Sequence, residues 1–124
     1  HIVDKSTSLR SGRNATAFVE GDYNNYEDVL NFGRTMDVRT IEIEHVNVDA
    51  LEVLEKEGKV VHPRPSALRI IKDKGLQKNF YAEHQLPTSS YSLFESKAAI
   101  QKAVDSGEIT IPFVQKSKYP NSFL

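Results

Sequence analysis

Two groups of residues in this sequence have the types and spacing that chemistry asks for. Thr40-Ile41-Glu42-Ile43-Glu44-His45-Val46 sets two carboxylates two residues apart in an alternating run. Lys72, Lys74 and Lys78 flank Asp73, and Lys116 and Lys118 follow the apolar stretch Ile111-Pro112-Phe113-Val114-Gln115. On a strand, residues two apart share a face, so Glu42 and Glu44 would project together near the strand's C-terminal end. In an open parallel sheet that is the end where ligands bind, and a carboxylate there can accept hydrogen bonds from a ribose or an amine. The plain alternative is a solvated strand face. Lysine is a point charge on a long stem and suits a polyphosphate approached from several sides. Here the alternative is the wet side of an amphipathic helix, and composition alone does not separate the two.

Other chemistries find less support. His1, His45, His62 and His84 lie far apart, and none shows the i, i+4 helical pairing that zinc favours. There is no Gly-x-Ser-x-Gly elbow and no Walker-type lysine loop, so hydrolase and P-loop readings fail at the first step. The absence of cysteine removes disulfides, thiolate nucleophiles and thiolate metal sites, and is compatible with a reducing compartment. Sixteen Lys and Arg against seventeen Asp and Glu give a net charge of -1, not the basic surface that neutralises a phosphate backbone, so no nucleic-acid partner is expected. No apolar run approaches the ~20 residues of a membrane span, and the N-terminus does not read as a signal sequence. A soluble, cytoplasmic protein with no membrane partner is expected, and the sequon Asn14-Ala15-Thr16 is read as chance.

The elements that must position these groups alternate in type. Ile2-Val3-Asp4 reads as a strand end, with a first element expected upstream, and a polar stretch follows it. Ala17-Phe18-Val19 is a short strand closed by Gly21-Asp22. Tyr26, Val29, Leu30 and Gly33 then fall at helical spacing behind the cap candidates Asn24 and Asn25. The alternation from Val38 to Val46 predicts a second strand carrying Glu42 and Glu44. Asp49 is the expected cap of a helix with Leu51 and Leu54 on its apolar face, and Gly58 stands where a left-handed residue ends it. Lys59 to His62 is a strand closed by Pro63 and Pro65. Strands alternating with helices imply a parallel sheet with helices on its faces. Beyond Pro65 the rhythm changes to a helix through Leu68, a second capped by Asp73, a strand over 91–94, a helix capped by Ser96 and ending at Gly107, and a closing strand over 111–115. A boundary is drawn at Pro63 to Pro65, giving domains 1–64 and 65–124.

One ordered series of residues carries a resemblance: the run Thr40 to Val46; Leu51-x-x-Leu54-x-x-x-Gly58; His62-Pro63-x-Pro65; Leu68-Arg69-Ile70-Ile71-x-Asp73-Lys74-x-x-Gln77-Lys78; and Leu86-Pro87-Thr88. In this order it resembles the 5-(carboxyamino)imidazole ribonucleotide synthases, the ATPase subunit of phosphoribosylaminoimidazole carboxylase within the ATP-grasp family. The likeness runs from about Ile2 to Lys118. It implies an α/β chain: a partial doubly wound parallel sheet, the pre-ATP-grasp domain lacking its first strand, followed by linker helices and the start of an ATP-grasp domain. It also implies an ATP-dependent carbon-nitrogen ligase of de novo purine biosynthesis. In that family ATP phosphorylates bicarbonate, the product carboxylates aminoimidazole ribonucleotide, and ADP and phosphate leave; the parent enzyme is expected to be a homodimer.

Carried over by position, Lys116 resembles the strand lysine that contacts the ATP phosphates. Lys74 stands where relatives commonly have an arginine at the nucleotide site, keeping the charge without the planar fork. Glu42 matches an acidic residue near the ribonucleotide substrate, with Glu44 in support. Asp4 matches the end of the family's second strand, though Lys5 follows it where relatives often have proline. The family's opening glycine-rich loop, its Gly-Gly-Tyr-Asp-Gly-like flap and its magnesium carboxylates have no counterpart in the 124 residues, which begin at His1 and close with Tyr119-Pro120-Asn121-Ser122-Phe123-Leu124. The chain is therefore expected to be a partial one, inactive by itself, with the Mg2+ ligands elsewhere. The alternatives are a non-catalytic nucleotide or ribonucleotide binding module and an inert fragment.

Overall fold

The computed structural model describes residues 1–6 and 15–119. The start of the sequon at Asn14, most of the polar stretch after Lys5 and the tail from Pro120 onward lie outside the described residues. The chain forms two compact units, His1–Lys72 and Asp73–Leu124.

In the first unit, β1 (Ile2–Asp4) and β2 (Phe18–Glu20) pair in parallel, with Ile2 opposite Phe18 and Asp4 opposite Glu20. Helix α1 (Tyr26–Arg34) follows, started by Asn25, whose side-chain oxygen accepts from the N–H groups of Glu27 and Asp28 at 2.9 and 3.1 Å. Those two acids lie in the positive first turn and Arg34 in the negative last one, so charge and macrodipole agree. Next come β3 (Val38–Thr40), α2 (Val48–Lys56) and β4 (Val60–His62), a crossover unit whose strands pair in parallel from Val38 opposite Val60 to Thr40 opposite His62. Gly58 ends the α2 turn at φ 81°, a conformation that a side chain would strain.

The core of this unit lies between the helices and the second strand pair. Val29 and Leu30 of α1, Val48, Ala50, Leu51 and Leu54 of α2, Val61 of β4 and the loop residue Val46 form one buried cluster. Helix α3 (Pro65–Lys72) joins it through Leu68. That helix lies beyond the boundary drawn from sequence at Pro63 to Pro65, yet its apolar face packs with the first unit.

The second unit contains α4 (Lys74–Glu83) and α5 (Lys97–Asp105). Asp73 caps α4 by accepting the N–H groups of Gly75 and Leu76, Ser96 caps α5 by accepting that of Ala99, and Gly107 leaves α5 at φ 76°. No helix among the described residues is long and apolar enough to cross a membrane.

The architecture is α/β with small parallel sheets, as the sequence implies, but three local expectations are corrected. The strand expected over 38–46 stops at Thr40. The Ile41 N–H bonds the His62 carbonyl at 2.9 Å as the last rung; the next donor would be the Arg64 N–H, but Arg64 already turns into α3, its carbonyl accepting the Ala67 and Leu68 N–H groups. The strands expected over 91–94 and 111–115 are irregular. A strand needs a partner, and among the described residues of the second unit there is none; Ile111 and Val114 are 74 % and 80 % exposed. The cap of α2 is Asn47, not Asp49. Asn47 is held in place by its N–H on the Tyr23 carbonyl and its side-chain amide on the Asn24 carbonyl, which moves Asp49 into the first turn.

Candidate functional site

The first unit presents Glu42 and Glu44 in the loop 41–47 that leaves the C-terminal end of β3. Alternation survives there without a ladder. Ile41 and Ile43 are half-buried, with Ile41 packed on the core, while Glu42 and Glu44 are exposed and take no hydrogen bond or ion pair among the described residues. The far end of the loop is tied down by the Lys72 ammonium, which donates to the Val46 carbonyl at 3.0 Å. Two carboxylates are thus held on one short loop with their acceptor oxygens open to solvent.

A second feature of this unit is a cavity of about 180 Å3, lined by His1, by Val3 from β1, by Val38, Arg39 and Thr40 from β3, and by Gly33 and Leu54 among the helix residues. Arg39 is only 6 % exposed. Its terminal nitrogens donate to the backbone carbonyls of Asp37 and Met36, leaving its Nε without a partner among the described residues. Burial pushes this guanidinium's pKa down.

The second unit sorts the remaining candidate lysines. Lys78 is committed: its ammonium donates to the Thr88 hydroxyl, to the Ser89 carbonyl at 3.3 Å and to the Ser89 hydroxyl at 3.1 Å, and lies 5.6 Å from the Tyr91 ring centre. It fixes the loop after Pro87. Lys118 is committed to Asp73, with Nζ 3.4 Å from Oδ2, and that carboxylate holds the ammonium's pKa above its ordinary value. Lys74 and Lys116, in contrast, are exposed and their ammonium groups take no partner among the described residues.

The segments that carry these two open lysines are joined through the backbone. The N–H of Lys74 donates to the carbonyl of Lys118 at 2.9 Å, so the segment bearing Lys116 runs past the first turn of α4. Sequence reading had Lys116 on a strand; it stands instead on an irregular segment held by this contact and by the Asp73 pair. Asp73 itself was visible in sequence only as a cap. Its second role depends on Lys118, 45 positions away, for which no local signal exists.

Among the described residues no group of three or more histidine, aspartate or glutamate side chains comes together to hold a metal ion. The described residues therefore do not fit a magnesium site.

The ribonucleotide synthetase preATP-grasp domain family matches residues 1–72. The chain belongs to this family. The pre-ATP-grasp match ends where the first compact unit ends, at Lys72. The phosphoribosylaminoimidazole carboxylase of Candida albicans is 35 % identical over 120 residues, which are 94 % of this chain and 21 % of that protein. The N5-carboxyaminoimidazole ribonucleotide synthase of Saccharolobus solfataricus is 30 % identical over 74 % of this chain and 25 % of its own length. The crystal structure of N5-carboxyaminoimidazole ribonucleotide synthetase from Thermotoga maritima superposes with a TM-score of 0.84 at 29 % identity, covering 95 % of this chain and 31 % of that one. This pre-ATP-grasp chain thus spans between a fifth and a third of the relatives named here.

Proposed function

We propose that this chain is the substrate-binding and nucleotide-entry part of an ATP-dependent ligase that carboxylates aminoimidazole ribonucleotide with bicarbonate. ATP gives its terminal phosphoryl group to bicarbonate, the resulting carboxyphosphate or its carbon dioxide adds to the amino group, and ADP and phosphate leave. In this reading Lys74 and Lys116 meet the ATP phosphates, Glu42 accepts hydrogen bonds from the ribonucleotide, and Glu44 supports it. Residues 65–124 are linker helices and the opening of an ATP-grasp domain. A cytoplasmic setting and a homodimer belong to the same reading.

The observation that carries it is the sorting of the lysines. Of the five candidates, Lys72, Lys78 and Lys118 are each occupied by protein groups, whereas Lys74 and Lys116 are open, and their segments are joined by the Lys74 N–H bond to the Lys118 carbonyl. An exposed ammonium pair with no carboxylate partner suits an incoming polyanion, since neither charge must first be released from an internal pair. Support comes also from the family of residues 1–72 and from the names of the relatives.

The test is Lys116→Ala in the purified protein with its full catalytic partner region. Loss of one charged contact of about 1.5–3 kcal/mol raises the KM for ATP by roughly 10- to 100-fold. Unchanged ATP kinetics would refute the role of Lys116. Calorimetric titration with ATP and separately with aminoimidazole ribonucleotide tests the binding-module alternative, and no heat from either at millimolar concentration would leave an inert fragment.

A further inference from the structure

We infer that Asp73 is a positioning residue for the nucleotide-binding lysines, holding the segment that carries Lys116 against the first turn of the helix that carries Lys74. The inference rests on the nucleotide reading above and adds to it a residue that touches no ligand. Asp73 is 7 % exposed and uses both carboxylate oxygens. Oδ1 accepts the N–H groups of Gly75 and Leu76 at 2.8 and 3.1 Å, which fixes the first turn of α4 and with it Lys74. Oδ2 faces the Lys118 ammonium at 3.4 Å, which fixes the chain two residues beyond Lys116. The Lys74 N–H on the Lys118 carbonyl closes a second link between the same two segments.

Gly75 makes the approach sterically feasible. A Cβ there would lie 3.1 Å from both Asp73 Oδ1 and Lys118 Cε and 3.5 Å from Leu93 Cδ1, so the lysine stem crosses the turn where a side chain would stand. One buried carboxylate therefore couples a helix cap to an ion pair, and the two open ammonium groups share it as a common anchor. The chemistry of the device is specific: Asn at position 73 keeps the Oδ1 acceptor and the cap but loses the charge that holds Lys118.

The experiment compares Asp73→Asn, Lys118→Ala and Lys118→Arg in the purified protein by two readouts. The first is the rate of tryptic cleavage at the Lys116–Ser117 bond, followed by mass, which reports opening of the clasp whether or not nucleotide binds. The second is the dissociation constant for ATP. When the competent arrangement becomes a minor population, apparent affinity falls in proportion, so about a three- to fivefold loss is expected for Asp73→Asn and Lys118→Ala. Lys118→Arg restores both readouts, and the thermal midpoint of Asp73→Asn stays close to that of the parent because the cap remains. Faster cleavage with unchanged ATP affinity overturns the positioning role. Unchanged cleavage in both charge-removing variants overturns the clasp itself. Failure of the parent protein to bind ATP overturns the nucleotide reading beneath it, with the cleavage result still showing whether the clasp exists.

Discussion

Gly33 of α1 faces Leu54 of α2 at the centre of the first unit, and replacing it with alanine has an outcome whose sign depends on that one neighbour. A Cβ built at Gly33 falls inside contact distance of Leu54 Cδ1 and lies 3.0 and 3.2 Å from Cδ2 and Cγ. Leu54 has no exposed surface, and the open space beside it is the cavity that it and Gly33 both line, so its branch yields only by leaving its present rotamer. Alanine in a helix interior gains about 1 kcal/mol over glycine, while overpacking a closed core costs roughly 1–3 kcal/mol. With three atoms of Leu54 crowded at once, the steric cost wins, and Gly33→Ala destabilises by about 1–2 kcal/mol. Leu54→Ala deletes those three atoms and costs about 2–5 kcal/mol by itself. In that background Gly33→Ala becomes stabilising by about 1 kcal/mol, since only the helix preference remains and the new methyl group enters the vacated space. The assay is urea unfolding by far-UV circular dichroism on the four members of the cycle. If Gly33→Ala has the same sign in both backgrounds, the close approach of α1 and α2 described here is wrong.

Two further outcomes concern charge and capping. Glu57 and Glu52 have folded-state pKa values below the ordinary 4.5, first through hydrogen bonds from Arg34 and Arg69 respectively, so their contribution is complete above about pH 4.5 and is lost as pH falls through the depressed values. Urea midpoints should be flat from neutral pH to about 5 and fall below about 4.5, with a shallower fall in Arg34→Gln/Arg69→Gln; an identical acid profile would rule out these pairs as its source. Asn25→Ala removes the acceptor for the Glu27 and Asp28 N–H groups and should cost about 1 kcal/mol by thermal melting, whereas Asn25→Asp should stay within a few tenths of the parent.

Legibility in the sequence followed the range of the interaction. The caps Asn25, Asp73 and Ser96 and the left-handed glycines Gly58 and Gly107 act within four residues of themselves, so residue type and spacing suffice to find them. The alternating parallel units and the apolar face of Leu51 and Leu54 were legible for the same reason. The run Thr40 to Val46 shows where this stops. Its alternation holds only from Ile41 to His45, where Ile41 and Ile43 are half-buried and Glu42 and Glu44 exposed, and it breaks at Val46, which is buried although in step with the glutamates; a ladder also needs a partner, and β4 ends at His62.

Sequence alone therefore determined the family-bearing order of motifs, the α/β character and which carboxylates and lysines to consider. Tertiary structure decided which of them are open. Lys72 and Lys78 are spent on the carbonyl of Val46 and the loop at Thr88 and Ser89, Lys118 is held by Asp73, and Lys74 and Lys116 are left exposed. The physical reason is that an ammonium group's partner is chosen by distance in space, and no local pattern specifies that Asp73 and Lys118 will lie 3.4 Å apart.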